Sequence, residues 1–135
     1  MQAELRRPFL VKPAALPGSS VVKIVPLSVA HCNALGDPEL AVFLGDWAWA
    51  ATVGGEPVAA GGIWEAWHGR GHCWFASREF DFDRRWWPSI TKAVKDAADR
   101  GLSTGTFRRV EMTVYDSHEA AKRWAVKLGF TPEAR

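Results

Sequence analysis

Histidine and cysteine are the residues of this chain whose side chains most often ligate metals or act as nucleophiles. We interpret His31, His68 and His72 as forming no metal-ligand set with one another. Cys32 and Cys73 are isolated cysteines without a metal-binding pattern. We therefore predict no metal site and two reduced thiols packed in the interior. A disulfide between them is an alternative that nothing in the sequence requires.

The composition predicts a single globular domain. The chain has 135 residues, 47% of them hydrophobic, and eight tryptophans, so it can bury a core. No apolar run is long enough for a membrane span, and residues 1–10 lack the apolar run of a secretory signal. The net charge of +2 is too small to favour a nucleic-acid partner. We interpret the local pairs Arg84-Arg85 and Arg108-Arg109 as solvated edges of helices and strands.

Proline separates an N-terminal arm, residues 1–20, from a domain at residues 21–135. Three prolines favour an extended arm, and the apolar patch at Phe9 suggests that the arm docks on another surface.

Hydrophobic periodicity and turn signals predict the element order β-α-α-β-β-β-α-β-α. Strands followed by two strand–helix units favour an α/β fold with a mixed central sheet and helices on both faces. Gly61 and Gly62 inside the third strand predict a bulge or a close approach of two backbones. The predicted elements are a strand at 21–25, a helix at 28–35 capped by Ser28, a short helix at 38–44, strands at 47–53, 58–67 and 72–77, a long helix from Pro88 to Gly101, and a strand–helix unit at 110–130.

The last strand–helix unit carries the clearest pattern. Polar and apolar residues alternate from Val110 to Tyr115, which is typical of a half-buried strand. Asp116 is predicted to cap the following helix, with Glu119 as its capping-box partner. An apolar stripe with helical spacing then runs to Leu128, and Gly129 ends the helix.

This unit and the element order resemble the GNAT acetyltransferase superfamily over roughly residues 21–130. The segments Gly-His-Cys-Trp-Phe-Ala-Ser at 71–77 and Leu-Gly-Phe at 128–130 are similar, more specifically, to GNAT-like internal virion proteins of short-tailed phages. The resemblance implies two further strands after the last helix, which the short segment after Phe130, interrupted by Pro132, does not provide. We expect a truncated sheet whose edge is covered by the arm or by a neighbouring subunit.

The resemblance also implies a site for acetyl-CoA. The pantetheine arm would pair with the backbone of Phe75, Ala76 and Ser77, and the pyrophosphate would bind Arg84 and Arg85 at the start of the long helix. The segment before that helix contains no glycine, which departs from the glycine-rich loop of the family.

The catalytic positions depart from the family as well. When the family pattern is aligned with this sequence on Gly129-Phe130, the asparagine that contacts the cofactor corresponds to His118. The tyrosine that acts as general acid corresponds to Ala125, whose side chain has no proton to donate. Tyr115 or His118 would replace that acid. Glu65 and Glu111 are candidate bases that would act through water, although the favoured interpretation places both on solvent-facing positions of alternating strands.

We predict a protein interface that contains Trp86, Trp87 and, from the N-terminal arm, Phe9. We predict a GNAT-fold phage protein that is a virion-associated structural or interaction component, catalytically degenerate and without a required cofactor. An active N-acetyltransferase using acetyl-CoA is the alternative, and a small regulator of a host protein is a weaker one. The expected partners are other virion or phage proteins or a second copy of the chain, in the virion or the host cytoplasm.

Overall fold

The computed structural model describes residues 21–78, 83–114 and 117–132. The predictions for the N-terminal arm, Phe9, Tyr115 and Asp116 fall outside these residues.

The strands and helices of the described part of the chain follow the predicted order, so the α/β class is confirmed. The strands are β1 (Lys23–Pro26), β2 (Ala48–Val53), β3 (Glu56–Trp67), β4 (Arg70–Ser77) and β5 (Arg109–Glu111). The α-helices are α1 (Val29–Ala34), α2 (Trp87–Ser103) and α3 (Glu119–Lys127), and 3-10 helices span Pro38–Phe43 and Arg84–Trp86.

The five strands form one mixed sheet in the order β1-β2-β3-β4-β5. Neighbouring strands are antiparallel except β4 and β5, which are parallel. The ladder between β4 and β5 consists of three pairs and ends at His72 and Glu111. β5 is therefore shorter than the predicted strand, because the chain turns away from β4 after Glu111.

Helices cover both faces of the sheet, as predicted. On the α2 face, helices α2 and α3 bury Ile90, Val94 and Leu128 against the sheet. On the opposite α1 face, α1 and the first 3-10 helix bury Cys32 and Leu40. The sheet residues beneath the α2 face include Trp49, Ala51, Val53, Val58 and Ala59, and those beneath the α1 face include Ala48, Ala50 and Ala60.

The paired glycines of β3 allow the Trp49 ring of β2 and the backbone of Trp47, just before β2, to lie close, so the predicted close approach is confirmed. A Cβ atom at Gly61 would lie 2.5 Å from Cζ2 of the buried Trp49 ring. A Cβ atom at Gly62 would collide with the backbone carbonyl oxygen of Trp47. The register shifts of the sheet lie elsewhere, between Ala51 and Thr52 and between Glu65 and Trp67.

One predicted helix end is wrong. α2 does not end at Gly101 but continues to Ser103, because the left-handed glycine that follows the helix is Gly105, at φ 77°, and Gly101 lies inside the helix against the ring of Phe107. α3 is capped by His118, whose Nδ1 atom accepts a hydrogen bond from the Ala121 N–H at 3.1 Å, whereas the predicted cap, Asp116, lies outside the described residues. The predicted Ser28 cap is confirmed, and His31 returns a reciprocal hydrogen bond.

Cys32 and Cys73 are both free and buried, which confirms that they pack in the interior.

No helix in the described ranges is long and apolar enough to cross a membrane. No group of three His, Cys, Asp or Glu side chains in those ranges could hold a metal ion. Residues 128–132 follow α3 without forming a strand.

Candidate functional site

The parallel strands β4 and β5 separate and open a cleft of about 350 Å³ between them. Beyond His72, the rest of β4 has no strand partner on its β5 side within the described chain. The cleft is lined by His72, Cys73, Trp74, Phe75, Met112, Thr113, Val114, His118, Ala121 and Trp124. Backbone donors and acceptors at a free strand edge can bind an extended ligand in the way a further strand would.

Side chains of β4 alternate across the cleft, so the cleft has access to both faces of the sheet. Phe75 packs with the core of the α2 face, and Trp74 packs with the core of the α1 face. By the same alternation, His72 shares the α1 face with Trp74. His72 was not predicted from the sequence as a residue of the site. Its two-residue spacing from Trp74 is the signal that could have placed both side chains on one face of the sheet.

Three aromatic rings fill the space between α2 and α3 beside the cleft. The ring centroids of Phe75 and Trp87 are 5.6 Å apart, those of Phe75 and Trp124 5.3 Å, and those of Trp87 and Trp124 5.1 Å. The Trp124 indole N–H also donates to the hydroxyl of Thr91 at 2.9 Å. These contacts connect α3 to α2. Trp87 is half-buried, and its predicted interface role stays a prediction.

His118 lines the cleft and has a defined hydrogen-bonding role. Because its Nδ1 atom accepts the Ala121 N–H, the neutral ring carries its proton on Nε2. His118 can therefore offer one N–H donor to a ligand while it caps α3.

The predicted bases do not line the cleft. Glu111 accepts hydrogen bonds from Arg70 Nε at 2.9 Å and from Arg109 Nε at 2.8 Å. These two arginines hold the pKa of the Glu111 carboxyl below its ordinary value. Glu65 accepts the Gly69 N–H at 2.9 Å and so fixes the turn between β3 and β4. Both carboxylates are thus engaged in structural contacts.

The residues predicted to bind phosphate lie before α2. Arg84 is exposed, whereas Arg85 contacts Asp83, with 2.6 Å between the guanidinium and the carboxylate. The same carboxylate accepts the Arg85 backbone N–H, and these bonds lower the pKa of Asp83. The adjacent Trp86 is only 3% exposed and belongs to the core, so its predicted interface role is wrong.

The described residues fit the narrow arm of coenzyme A better than its pyrophosphate. The cleft lies at the small end of the range for ligand pockets, and it offers the free edge of β4 as the pairing surface. Of the two exposed arginines just before α2, Arg85 is held by Asp83, so Arg84 is the candidate to bind an anion at the start of the helix, where the helix dipole favours one. Of the predicted strand residues, Phe75 lines the cleft, and Ala76 and Ser77 continue β4 beyond it.

No protein-family model and no curated protein sequence matches the chain, whereas several solved structures share its fold. The aminoglycoside N-acetyltransferase AAC(6')-Iy in complex with CoA superposes with a TM-score of 0.61 at 15% identity, covering 93% of this chain and 95% of that one. A GNAT-family acetyltransferase from Streptococcus pneumoniae gives 0.62 at 14% identity, covering 84% and 86%. An acetyltransferase from Agrobacterium tumefaciens gives 0.59 at 16% identity, covering 82% and 80%.

These superpositions show that the chain has the fold of GNAT-family acetyltransferases. At such low identities they show the fold alone, because one fold can carry different functions. The predicted GNAT-like fold is confirmed, while the similarity to phage virion proteins stays a prediction.

Proposed function

We propose that the chain binds a CoA thioester in the cleft between β4 and β5 and transfers its acyl group to an amine. The separation of the two strands after His72 carries the proposal, because it leaves a free strand edge beside a cleft. The fold shared with acetyltransferases, one of them in complex with CoA, supports the same function.

Two histidines of the cleft would supply the polar chemistry. The thioester supplies an activated acyl group: the amine nitrogen forms the new C–N bond, the C–S bond breaks, and CoA leaves as a thiolate that keeps the electron pair of that bond. His72, which lines the cleft, is proposed to accept the proton that the amine loses, because an imidazole nitrogen can act as a general base. The Nε2–H of His118 can donate a hydrogen bond to the thioester or the departing sulfur. Tyr115 is proposed as the source of the proton taken up by the thiolate.

Calorimetric titration of the full chain with acetyl-CoA tests the binding step. We expect micromolar affinity, weakened in Arg84→Ala by about threefold to tenfold through the loss of one charge-assisted contact. Arg123→Ala is a matched control, because Arg123 is an exposed arginine on α3 outside the cleft lining. If the acetyl-CoA affinity is unchanged in both variants, Arg84 does not contact the bound cofactor. If no binding heat is observed, the proposal is contradicted.

Release of the CoA thiol in the presence of an amine tests the transfer step. His72→Gln is expected to lower kcat by about a hundredfold or more if His72 is the base, with little change in acetyl-CoA affinity. Full activity in His72→Gln would assign the base elsewhere.

A second candidate function is that of a protein-interaction component, which the sequence analysis placed in a virion. Two observations favour a protein interface. The contacts among Trp87, Trp124 and Thr91 fill the side of the cleft between α2 and α3, which restricts a bulky ligand there. Exposed tryptophans, with Trp64 at 50% and Trp67 at 66%, offer the side chains that most often dominate protein interfaces. A regulator of a host protein would use the same surface.

Mass spectrometry of purified phage particles tests this second candidate. The chain should be present at a fixed ratio to the other virion proteins, and Trp67→Ala should lower that ratio. Absence of the chain from particles would rule out a virion component.

A further inference from the structure

We infer that the acceptor in the proposed transfer is an amine attached to an aromatic or similarly flat apolar group. The inference rests on the proposed function and deepens it. The residues that carry it are Phe43, Trp64 and Trp74, which we call the aromatic corner.

The aromatic corner presents two ring planes that meet at a steep angle. Phe43 stacks on Trp74, with centroids 4.5 Å apart and an interplanar angle of 22°. Trp64 meets Phe43 edge-on, at 6.2 Å and 73°. Trp64 is half exposed, and Val42 and Leu44 on either side of Phe43 are exposed as well. A flat apolar ligand can therefore cover one ring with its face while its edge meets another, the arrangement that aromatic pairs prefer.

The aromatic corner is continuous with the cleft. Trp74 lines the cleft and also stacks on Phe43, so one side chain belongs to both. Trp64 on β3 is the register partner of His72 on β4, and the two side chains share the α1 face. A ligand whose ring contacts Trp64 would thus hold an amine, on a short linker, near His72 and the opening between β4 and β5.

The charges around the cleft disfavour a polycationic acceptor. None of the described residues that line the cleft is an aspartate or glutamate. The carboxylates of Glu65 and Glu111 are engaged by Gly69 and by two arginines. A single ammonium group can still be held by the faces of the aromatic rings through cation–π attraction. Recognition by ring contact therefore favours an aromatic monoamine over a polyamine.

The test compares three amines in the acetyl-CoA assay with the full chain: 2-phenylethylamine, 2-cyclohexylethylamine, which has the same linker but no flat ring, and spermidine. We expect kcat/KM to be highest for 2-phenylethylamine. Trp64→Ala should reduce it by about tenfold, because a stacked aromatic contact and its buried area are lost. Trp67→Ala, which removes an exposed tryptophan of the same strand outside the corner, should leave it unchanged.

Calorimetric titration with acetyl-CoA distinguishes failure of the acceptor assignment from failure of the proposed acyl transfer. Unchanged acetyl-CoA affinity in Trp64→Ala, together with the tenfold loss for 2-phenylethylamine, supports the acceptor assignment. Acetyl transfer that prefers spermidine, or that is equal in Trp64→Ala and Trp67→Ala, overturns the acceptor assignment and leaves the proposed function standing. Absence of acetyl-CoA binding overturns both.

Discussion

Gly62 permits the close approach of β2 and β3 in the centre of the sheet. Gly62→Ala would place a methyl group against the backbone carbonyl oxygen of Trp47 and 2.9 Å from Cα of Ala48. Backbone atoms cannot rotate away, so we expect a loss of about 1–3 kcal/mol in the free energy of unfolding. Urea denaturation followed by tryptophan fluorescence measures it.

Gly105→Ala is the control for this prediction. An added methyl group at Gly105 meets no atom within 4 Å, but its backbone is left-handed at φ +77°. We expect a loss of about 1 kcal/mol from that conformation alone. If Gly62→Ala cost no more than Gly105→Ala, the proposed contact with Trp47 would be refuted.

Glu111 is predicted to make stability depend on acidic pH. Arg70 and Arg109 lower the pKa of its carboxyl in the folded state from the ordinary value of 4.5. A carboxyl whose pKa is lower in the folded than in the unfolded protein stabilises the folded state fully above pH 4.5. This stabilisation is lost as the pH falls through the folded-state pKa. Glu111→Gln should therefore be less stable than the natural chain at neutral pH, with the difference shrinking in acid.

Urea unfolding of both chains across this pH range is the measurement. Glu39→Gln is the control, since Glu39 is exposed and makes no ion pair in the described part of the chain. A difference between Glu111→Gln and the natural chain that stays constant down to low pH would refute the assigned ion pairs.

The roles of individual side chains were only partly predictable from sequence. Alternation along β4 could have placed His72 beside Trp74, because a period of two is local information. The engagement of Glu111 by Arg70 depends on pairing between β4 and β5, which are 41 residues apart at this contact. The burial of Trp86 depends on how α2 meets the sheet, and no local pattern distinguishes it from the half-buried Trp87.

The first turn of α3 depends on an unusual cap. None of the residues of α3 is fully buried, so local hydrogen bonds matter more for this helix than for α2. His118→Ala removes the acceptor for the Ala121 N–H and should lower the free energy of unfolding by about 1 kcal/mol. His118→Asn should restore most of the loss, because asparagine is a favourable cap. Thermal unfolding by circular dichroism measures both.

Ser117→Ala is the neighbouring control. Ser117 is exposed and precedes the cap, so its replacement should leave the melting temperature unchanged. Equal losses in Ser117→Ala and His118→Ala would contradict the assignment of the cap.

Element order was predictable, whereas element ends were not. The strands and helices follow from short-range hydrophobic patterns, so their order was predicted correctly. The sequence does not distinguish Gly101, which lies inside α2 against the ring of Phe107, from Gly105, which is the left-handed glycine after the helix. The end of β5 depends on where its partner β4 diverges, and that divergence also forms the cleft.

The two cysteines report on the cooperativity of the whole molecule. Cys32 lies in the core of the α1 face, and Cys73 lies in a cluster with Ala97 and Phe107. Burial raises the pKa of both thiols, that of Cys73 to about 12, and a protonated thiol reacts slowly. We expect neither to react with iodoacetamide in the native protein.

Both cysteines should become reactive at the same urea concentration if the two faces of the sheet unfold together. Mass spectrometry of peptides after a pulse of iodoacetamide measures each site, and Cys32→Ala isolates the signal of Cys73. Labelling of Cys32 at a lower urea concentration than Cys73 would show that the α1 face opens separately.

The contact between Gly61 and the Trp49 ring has a consequence for how relatives of this protein can diverge. The space that a side chain at position 61 would need is occupied by the indole at position 49. A larger residue at one position therefore requires a smaller residue at the other, because a packed interior has no spare volume. We expect positions 49 and 61 to change in concert among homologues, with the tryptophan replaced wherever the glycine is lost.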